Sequence, residues 1–265
     1  MSKPIDILQK YWGYQAFRPS QEDIINSILA GKDTVALLPT GGGKSVCYQV
    51  PGAILQGVCL VISPLISLMK DQVNSLKRKG LVAEGIWTGI NNKDIGRIMD
   101  NALLGKIQYL YVSPERINSD IFQEYFKQLK ISFITVDEAH CISQWGYDFR
   151  PAYLQISKLR EIQPALSILA LTATASSHVL SDIISNLSLQ EPLIYKNSFF
   201  RPNISLVFRQ TLDKRQQLLN VLKHVKGSSI VYMRSRAQTV EIAKFLNDNG
   251  YKSLFYHAGM DPKSR

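Results

Sequence analysis

Short runs of unbroken apolar residues alternate along this chain with longer stretches in which apolar positions recur every three or four residues. The runs are TVALLP (34–39), VCLVIS (58–63), IQYLYVS (107–113), ISFITVD (131–137) and LSILALT (166–172), each predicted to be a strand buried on both faces. Between them, 67–79 and 94–104 carry the spacing of amphipathic helices. Strands alternating with helices imply right-handed crossovers, hence an α/β fold with a parallel sheet and helices on both faces. In such a sheet the chemistry gathers at the carboxyl ends of the strands.

A second block of the same kind follows the step Arg201-Pro202-Asn203, which disfavours helix and suits a linker. The pattern divides the chain into a lobe over 1–198, a linker over 199–203 and a shorter lobe over 204–265. In the shorter lobe it predicts strands over 204–208, 229–232 and 252–256, with helices over 214–224 and 237–247. About 65 residues make a small parallel lobe with an open edge, so this lobe reads as incomplete.

Composition narrows the class. With 45% hydrophobic and 20% charged residues the chain has ordinary globular material and ample core. It holds no run of 18 apolar residues, so no membrane partner is expected. The start, MSKPIDILQKYWGY, lacks an apolar stretch behind a basic one, and no secretory signal is expected. Three cysteines without a CxxC spacing indicate neither a disulfide framework nor a zinc site. Residues 201–265 hold 12 Lys/Arg and 4 Asp/Glu, a net of +8, which leaves 19 and 17, or +2, for residues 1–200. A basic segment beside a near-neutral one fits either a polyanion partner, most often nucleic acid, or a solvated basic surface.

The strand over 34–38 runs into Pro39-Thr40-Gly41-Gly42-Gly43-Lys44-Ser45, and a helix is expected from Lys44. Three glycines let backbone N–H groups of this loop, Thr40 and Gly41 to Gly43 included, converge on phosphate oxygens. A helix N-terminus adds free N–H groups and a positive dipole end. Lys44 is placed to reach the β and γ phosphates, and the Ser45 hydroxyl to take one Mg²⁺ position. The strict pattern has a glycine six residues before the lysine, where this chain has Leu38. A nucleotide loop of this kind needs a carboxylate on a neighbouring strand. The strand over 131–136 ends in Asp137-Glu138-Ala139-His140. There Asp137 suits the metal, and Glu138 can orient and deprotonate an attacking water.

With these motifs in order the sequence resembles the RecQ-type DNA helicases of superfamily 2, from about Gly13 to its end. Gly13-Tyr14-Gln15-Ala16-Phe17-Arg18-Pro19-Ser20-Gln21 is similar to the family's adenine-reading segment. The resemblance implies that Tyr14 stacks on the base, Gln21 bonds its edge and Arg18 fixes the nucleotide. The stretch from Val61 to Gln72, with Ser63, and that from Val112 to Arg116 are similar to segments touching the DNA backbone. Ser143-Gln144-Trp145-Gly146-Tyr147-Asp148-Phe149-Arg150-Pro151 resembles the family's aromatic-rich loop. Exposed aromatics there would stack on DNA bases at about 1–3 kcal/mol each. The loop, through Gln144, Trp145, Phe149 and Arg150, would sense DNA and signal to Glu138 and His140. Ala170-Leu171-Thr172-Ala173-Thr174-Ala175 resembles the segment that couples hydrolysis to movement, by Thr172 and Thr174. Met233-Arg234-Ser235-Arg236 departs from the family at Arg234, where Asn is usual.

The resemblance implies a RecA-like first lobe and a partial second RecA-like lobe, truncated before the family's arginine finger, zinc subdomain and winged helix. It further implies ATP and Mg²⁺ as cofactors, single-stranded and duplex DNA as partners, and DNA-repair protein partners. The expected function is ATP-dependent 3′–5′ unwinding of duplex DNA in recombination and repair. The expected place is a bacterial cytoplasm beside the nucleoid, or a nucleus in a eukaryote. Without the finger, which is commonly worth about 10³–10⁵ in rate, this chain is expected to bind ATP but turn it over poorly. Two other readings stay open: a nucleotide-gated single-stranded DNA-binding module without useful turnover, and an RNA-stimulated ATPase.

Overall fold

Val58, Leu60 and Ile62 belong to one buried cluster and Cys59 and Val61 to another, so alternate residues of one strand fill two cores. That is the pattern of a sheet covered on both faces, with each large aliphatic contributing about 1.5–3 kcal/mol by burial. The structure, a computed structural model, describes residues 3–146, 148–198, 203–261 and 264. By compactness the chain divides into units 1–200 and 201–265. Of the expected linker 199–203 only Asn203 lies among the described residues, and Tyr147 also lies outside them.

In the first unit α1 (Pro4–Trp12) and α2 (Gln21–Leu29) lead into β1 (Thr34–Leu37) and α3 (Val46–Ile54). Next come β2 (Val58–Ile62), α4 (Ile66–Arg78), β3 (Ala83–Ile86), α5 (Asn92–Leu103) and β4 (Tyr109–Val112). The chain continues through α6 (Asp120–Phe126), β5 (Ile131–Val136), α7 (Ser157–Ile162), β6 (Ile168–Thr172), α8 (Ser177–Asn186) and β7 (Leu193–Lys196). The seven strands are all parallel, in the order β3-β4-β2-β5-β6-β1-β7. Residues of α2, α3 and α4 fill one core and residues of α5, α6, α7 and α8 the other. Since β6 lies between β1 and β5, the ends of three strands meet at the loop after β1, the acidic pair after β5 and Thr172. At the opposite end, buried Asp33 takes a two-pronged ion pair from Arg160 at 2.6 and 3.1 Å and backbone N–H groups of Ile168 and Gln190. This bolts β1 to β6 behind the site.

All five runs expected as strands are strands. Two strands carry no such run: β3 is Ala-Glu-Gly-Ile, its first three residues poor strand formers held by pairing to β4, and β7 is a largely exposed edge. α5 starts at Asn92, two residues before 94, because the Asn91 side chain caps it by accepting from Asp94 N at 2.9 Å.

In the second unit α9 (Lys214–His224) and α10 (Arg236–Asp248) form, capped by Asp213 and Ser235. The expected strands over 204–208, 229–232 and 252–256 do not: among the described residues none is in a strand. Leu206, Ile230 and Leu254 are 79%, 80% and 98% exposed. A strand is held by a ladder of backbone hydrogen bonds to a neighbouring strand. Among the described residues these segments pair with none, Ser253 bonding instead to the Asn247 side chain at 2.9 and 3.0 Å. The second lobe is thus present as helices without the sheet read from its sequence.

Candidate nucleotide and coupling site

Each glycine of the loop after β1 is required for its own reason. Gly41 and Gly43 have φ of +77° and +80°, a region costly for other residues. A Cβ on Gly42 would lie 2.7 Å from the Pro39 carbonyl oxygen. α3 begins at Val46 rather than at Lys44: a tight turn, Val46 N to Gly43 O at 3.1 Å and Cys47 N to Lys44 O at 3.1 Å, comes first. Among the described residues, none accepts a hydrogen bond from the backbone N–H of Gly41, Gly43, Lys44 or Ser45. The loop's carbonyls, by contrast, are taken. Arg18 donates to Gly41 O, and buried Gln21 donates to Gly43 O at 3.0 Å while accepting from Arg18 N at 2.9 Å. Carbonyls turned outward and amides left over make a cradle for an anion.

Beside this cradle lies a cleft of about 510 Å³ lined by Trp12, Tyr14, Arg18, Gln21, Ser45 and Lys79, among others. Tyr14 is half exposed, with an aromatic face for a planar ring, while Thr40 is exposed beside the glycines. The loop and the cleft are therefore contiguous, since Gly43 and Ser45 also line the cleft.

On β5 the Asp137 N–H donates to Ile62 O at 2.8 Å, which fixes the acidic pair at the strand tip. Burial and then the charge of Glu138 push the Asp137 carboxyl up to about 6, against the pull of Lys44 and bonds from Glu138 N and Ser63. Its donor set with the Ser45 hydroxyl fits magnesium, a hard cation that keeps most of its ligands as phosphate and water. Among the described residues no group of three or more His, Cys, Asp or Glu is placed to cage a metal.

Glu138 sits in the left-handed region, φ 48° and ψ 45°, a strained backbone for a non-glycine residue. One carboxylate oxygen is 3.5 Å from Lys44 Nζ and the other 3.4 Å from His140 Nδ1. His140 Nδ1 is also 3.0 Å from Thr172 Oγ1. That hydroxyl donates to Thr174 O at 3.0 Å, so it accepts from the histidine. A continuous chain of contacts thus runs Lys44–Glu138–His140–Thr172–Thr174 across three strand ends.

The aromatic loop is fastened to the same turn. Ser143, fully buried, donates to Asp182 of α8 at 2.6 Å and accepts from Trp145 N at 3.1 Å. A Cβ on Gly146 would lie 2.5 Å from His140 O, and Arg150 N closes the loop on Cys141 O at 2.9 Å. Its tip is open: Trp145 is 80% exposed and Gln144 is exposed, with Phe149 half-buried.

The sequence model of the DEAD/DEAH box helicases matches residues 18–183. This chain belongs to the DEAD/DEAH box helicase family. It is 41% identical over 262 residues to the ATP-dependent DNA helicase RecQ of Pasteurella multocida, covering 98% of this chain and 42% of that protein. It is 39% identical to the probable ATP-dependent DNA helicase RecS of Bacillus subtilis, covering 100% of this chain and 54% of the relative. It is 35% identical to the ATP-dependent helicase wrn-1 of Caenorhabditis elegans, covering 98% and 26%. The chain thus spans about half or less of the length of these relatives. In fold it matches the DUF1998 helicase MrfA bound to DNA and AMPPNP, with a TM-score of 0.75 at 17% identity over 100% of this chain and 41% of that one. It also matches the Mycobacterium smegmatis helicase Lhr bound to ssDNA and AMP-PNP, with 0.65 at 17% over 100% and 40%. The fold is RecA-like.

Within this helicase frame Lys44, Asp137, Glu138, His140, Thr172 and Thr174 converge at the ends of β1, β5 and β6. Tyr14, by contrast, lines the cleft beside them, and the Arg18 and Gln21 side chains are bonded to the loop after β1, the Gln21 amide with both its ends engaged. Two DNA candidates do not present a free side chain. Ser63 is buried with its hydroxyl on Asp137 at 3.4 Å, so it belongs to the acidic site. The Arg150 guanidinium is held by Asp148 at 2.8 Å and Pro64 O at 3.0 Å, where it ties the aromatic loop to the end of β2. Three residues had no signal in the sequence: Tyr153, whose hydroxyl donates to Asp137 O at 2.9 Å, Asp182 and Asn197.

Proposed function

We propose that this chain is the ATP-binding motor portion of a RecQ-type DNA helicase, coupling ATP hydrolysis to 3′–5′ movement on single-stranded DNA. The observation that carries the reading is the contact chain from Lys44 to Thr174, with the exposed Trp145 loop fastened to its middle member. Phosphate entering the cradle draws Lys44 from Glu138 by stronger charge pairing. Glu138, still held by His140, is then free to orient a water and take its proton. Bound magnesium supplies neutralisation of phosphate charge. His140 and Thr172 report the state of Glu138 to the Thr174 turn. DNA stacked on Trp145 would shift the loop whose base abuts His140. That this chain turns ATP over slowly on its own is part of the proposal.

The test is nucleotide affinity and turnover in two variants. Lys44→Ala is expected to weaken ATP binding by more than about tenfold. Glu138→Gln is expected to keep binding and lose about 10²–10⁴ in turnover. Unchanged turnover in Glu138→Gln would remove it as the base.

A further inference from the structure

Asn197 stands one residue beyond β7, far in sequence from the nucleotide loop and matched to none of its motifs. Its backbone N–H donates to Leu37 O at 3.0 Å, at the point where β1 gives way to the phosphate loop. Its side chain reaches the other way. Oδ1 accepts from Ser20 Oγ at 2.6 Å, and Nδ2 donates to Pro19 O at 3.1 Å. The amide orientation follows from the partners, since the reverse would set oxygen against the Pro19 carbonyl. Pro19 and Ser20 are the link between Arg18 and Gln21, the two residues that grip Gly41 and Gly43. Ser20 itself has φ +64°, a conformation a serine does not hold cheaply without support.

We propose that Asn197 is a specificity-positioning residue: it fastens the 18–21 turn to the end of β1, holding base recognition in register with phosphate recognition. The inference rests on the reading of Tyr14, Arg18 and Gln21 as the adenine pocket. Arg18 and Gln21 also grip the phosphate cradle, but the cradle has further supports in the glycine geometry and the turn before α3, so loss of this fastening weakens it less than it weakens base recognition. Base recognition is the more exposed to it, because Gln21 closes the turn that Asn197 holds and Tyr14 lies on the segment leading into that turn. Asn197 is a positioning residue, since it touches the turn and not the nucleotide.

The experiment measures the affinity of the whole chain, with Mg²⁺, for non-hydrolysable adenosine and uridine triphosphate analogues. Wild type is expected to favour adenosine by about tenfold or more. Asn197→Ala is expected to lose most of that preference while uridine affinity changes by less than about twofold. Ser20→Gly suits the left-handed backbone and removes the side chain with the hydroxyl that Asn197 accepts from, so it is expected to lose part of the preference and serves if the alanine variant does not fold. A general loss of structure would weaken both nucleotides alike and leave the ratio unmoved. A full adenine preference in the folded variants overturns the role of Asn197 alone. An absence of preference in wild type overturns it together with the adenine pocket.

Discussion

At the scale of single residues, Asp137 and Glu138 are adjacent carboxylates in different surroundings, Asp137 against Ser63 and Glu138 between Lys44 and His140. Asp137 is half-buried at the strand tip, and its folded-state value of about 6 stands above the ~3.9 of an unfolded chain. The folded state therefore binds more protons between these values, and stability falls as pH rises through that window. In metal-free protein Asp137→Asn is expected to raise unfolding free energy by about 1–2 kcal/mol at pH 7.5, after discounting for solvent contact, with the gain gone below pH 4. Denaturant melts at the two pH values check it; an equal difference at both would refute the buried charge. Which carboxylate does what was partly legible, because a strand ending in Asp-Glu after a glycine-rich loop suggests its own chemistry. The clamp on Glu138 was not, since His140 meets Thr172 across 32 positions of sequence. Neither was the grip of Gln21 on Gly43, which spans 22.

At the scale of elements, the aromatic loop is a short excursion whose base is pinned at Ser143, Gly146 and Arg150 and whose tip is open. In the proposed coupling, displacement at Trp145 would reach His140 through this base, because Gly146 packs on the His140 carbonyl with no room for a side chain. Gly146→Ala must push the loop away. It is expected to cost about 1–3 kcal/mol of stability by overpacking and to reduce DNA stimulation of ATPase about tenfold or more, with DNA-free turnover retained. Parallel ATPase assays with and without single-stranded DNA read this, and stimulation equal to wild type would mean the loop does not signal through its base. The loop announced itself by unusual composition, but its anchor at Asp182 lies on a helix with no marking residue. The strands followed the same logic. Unbroken apolar runs betrayed the five central ones, whereas Ala-Glu-Gly-Ile becomes β3 only because β4 lies beside it.

Across the whole molecule, the first unit carries a seven-stranded sheet and every residue of the contact chain from Lys44 to Thr174, while the second carries +8 of the net charge of +10. The apolar segments of 204–208, 229–232 and 252–256 had the right pattern for strands and did not become them. Pattern supplies the faces of a strand but not the neighbour it needs. A nucleotide cradle, an acid pair and an open aromatic loop linked by contacts of 3.5 Å or less make one testable claim: ATP turnover answers to DNA. The most direct measurement is steady-state ATP hydrolysis by the whole chain, alone and with single-stranded DNA or RNA of equal length, beside Trp145→Ala. The account expects slow turnover alone, stimulation by DNA well above that by RNA, and loss of the stimulation in Trp145→Ala. Turnover indifferent to DNA, or DNA stimulation that survives Trp145→Ala, would contradict it.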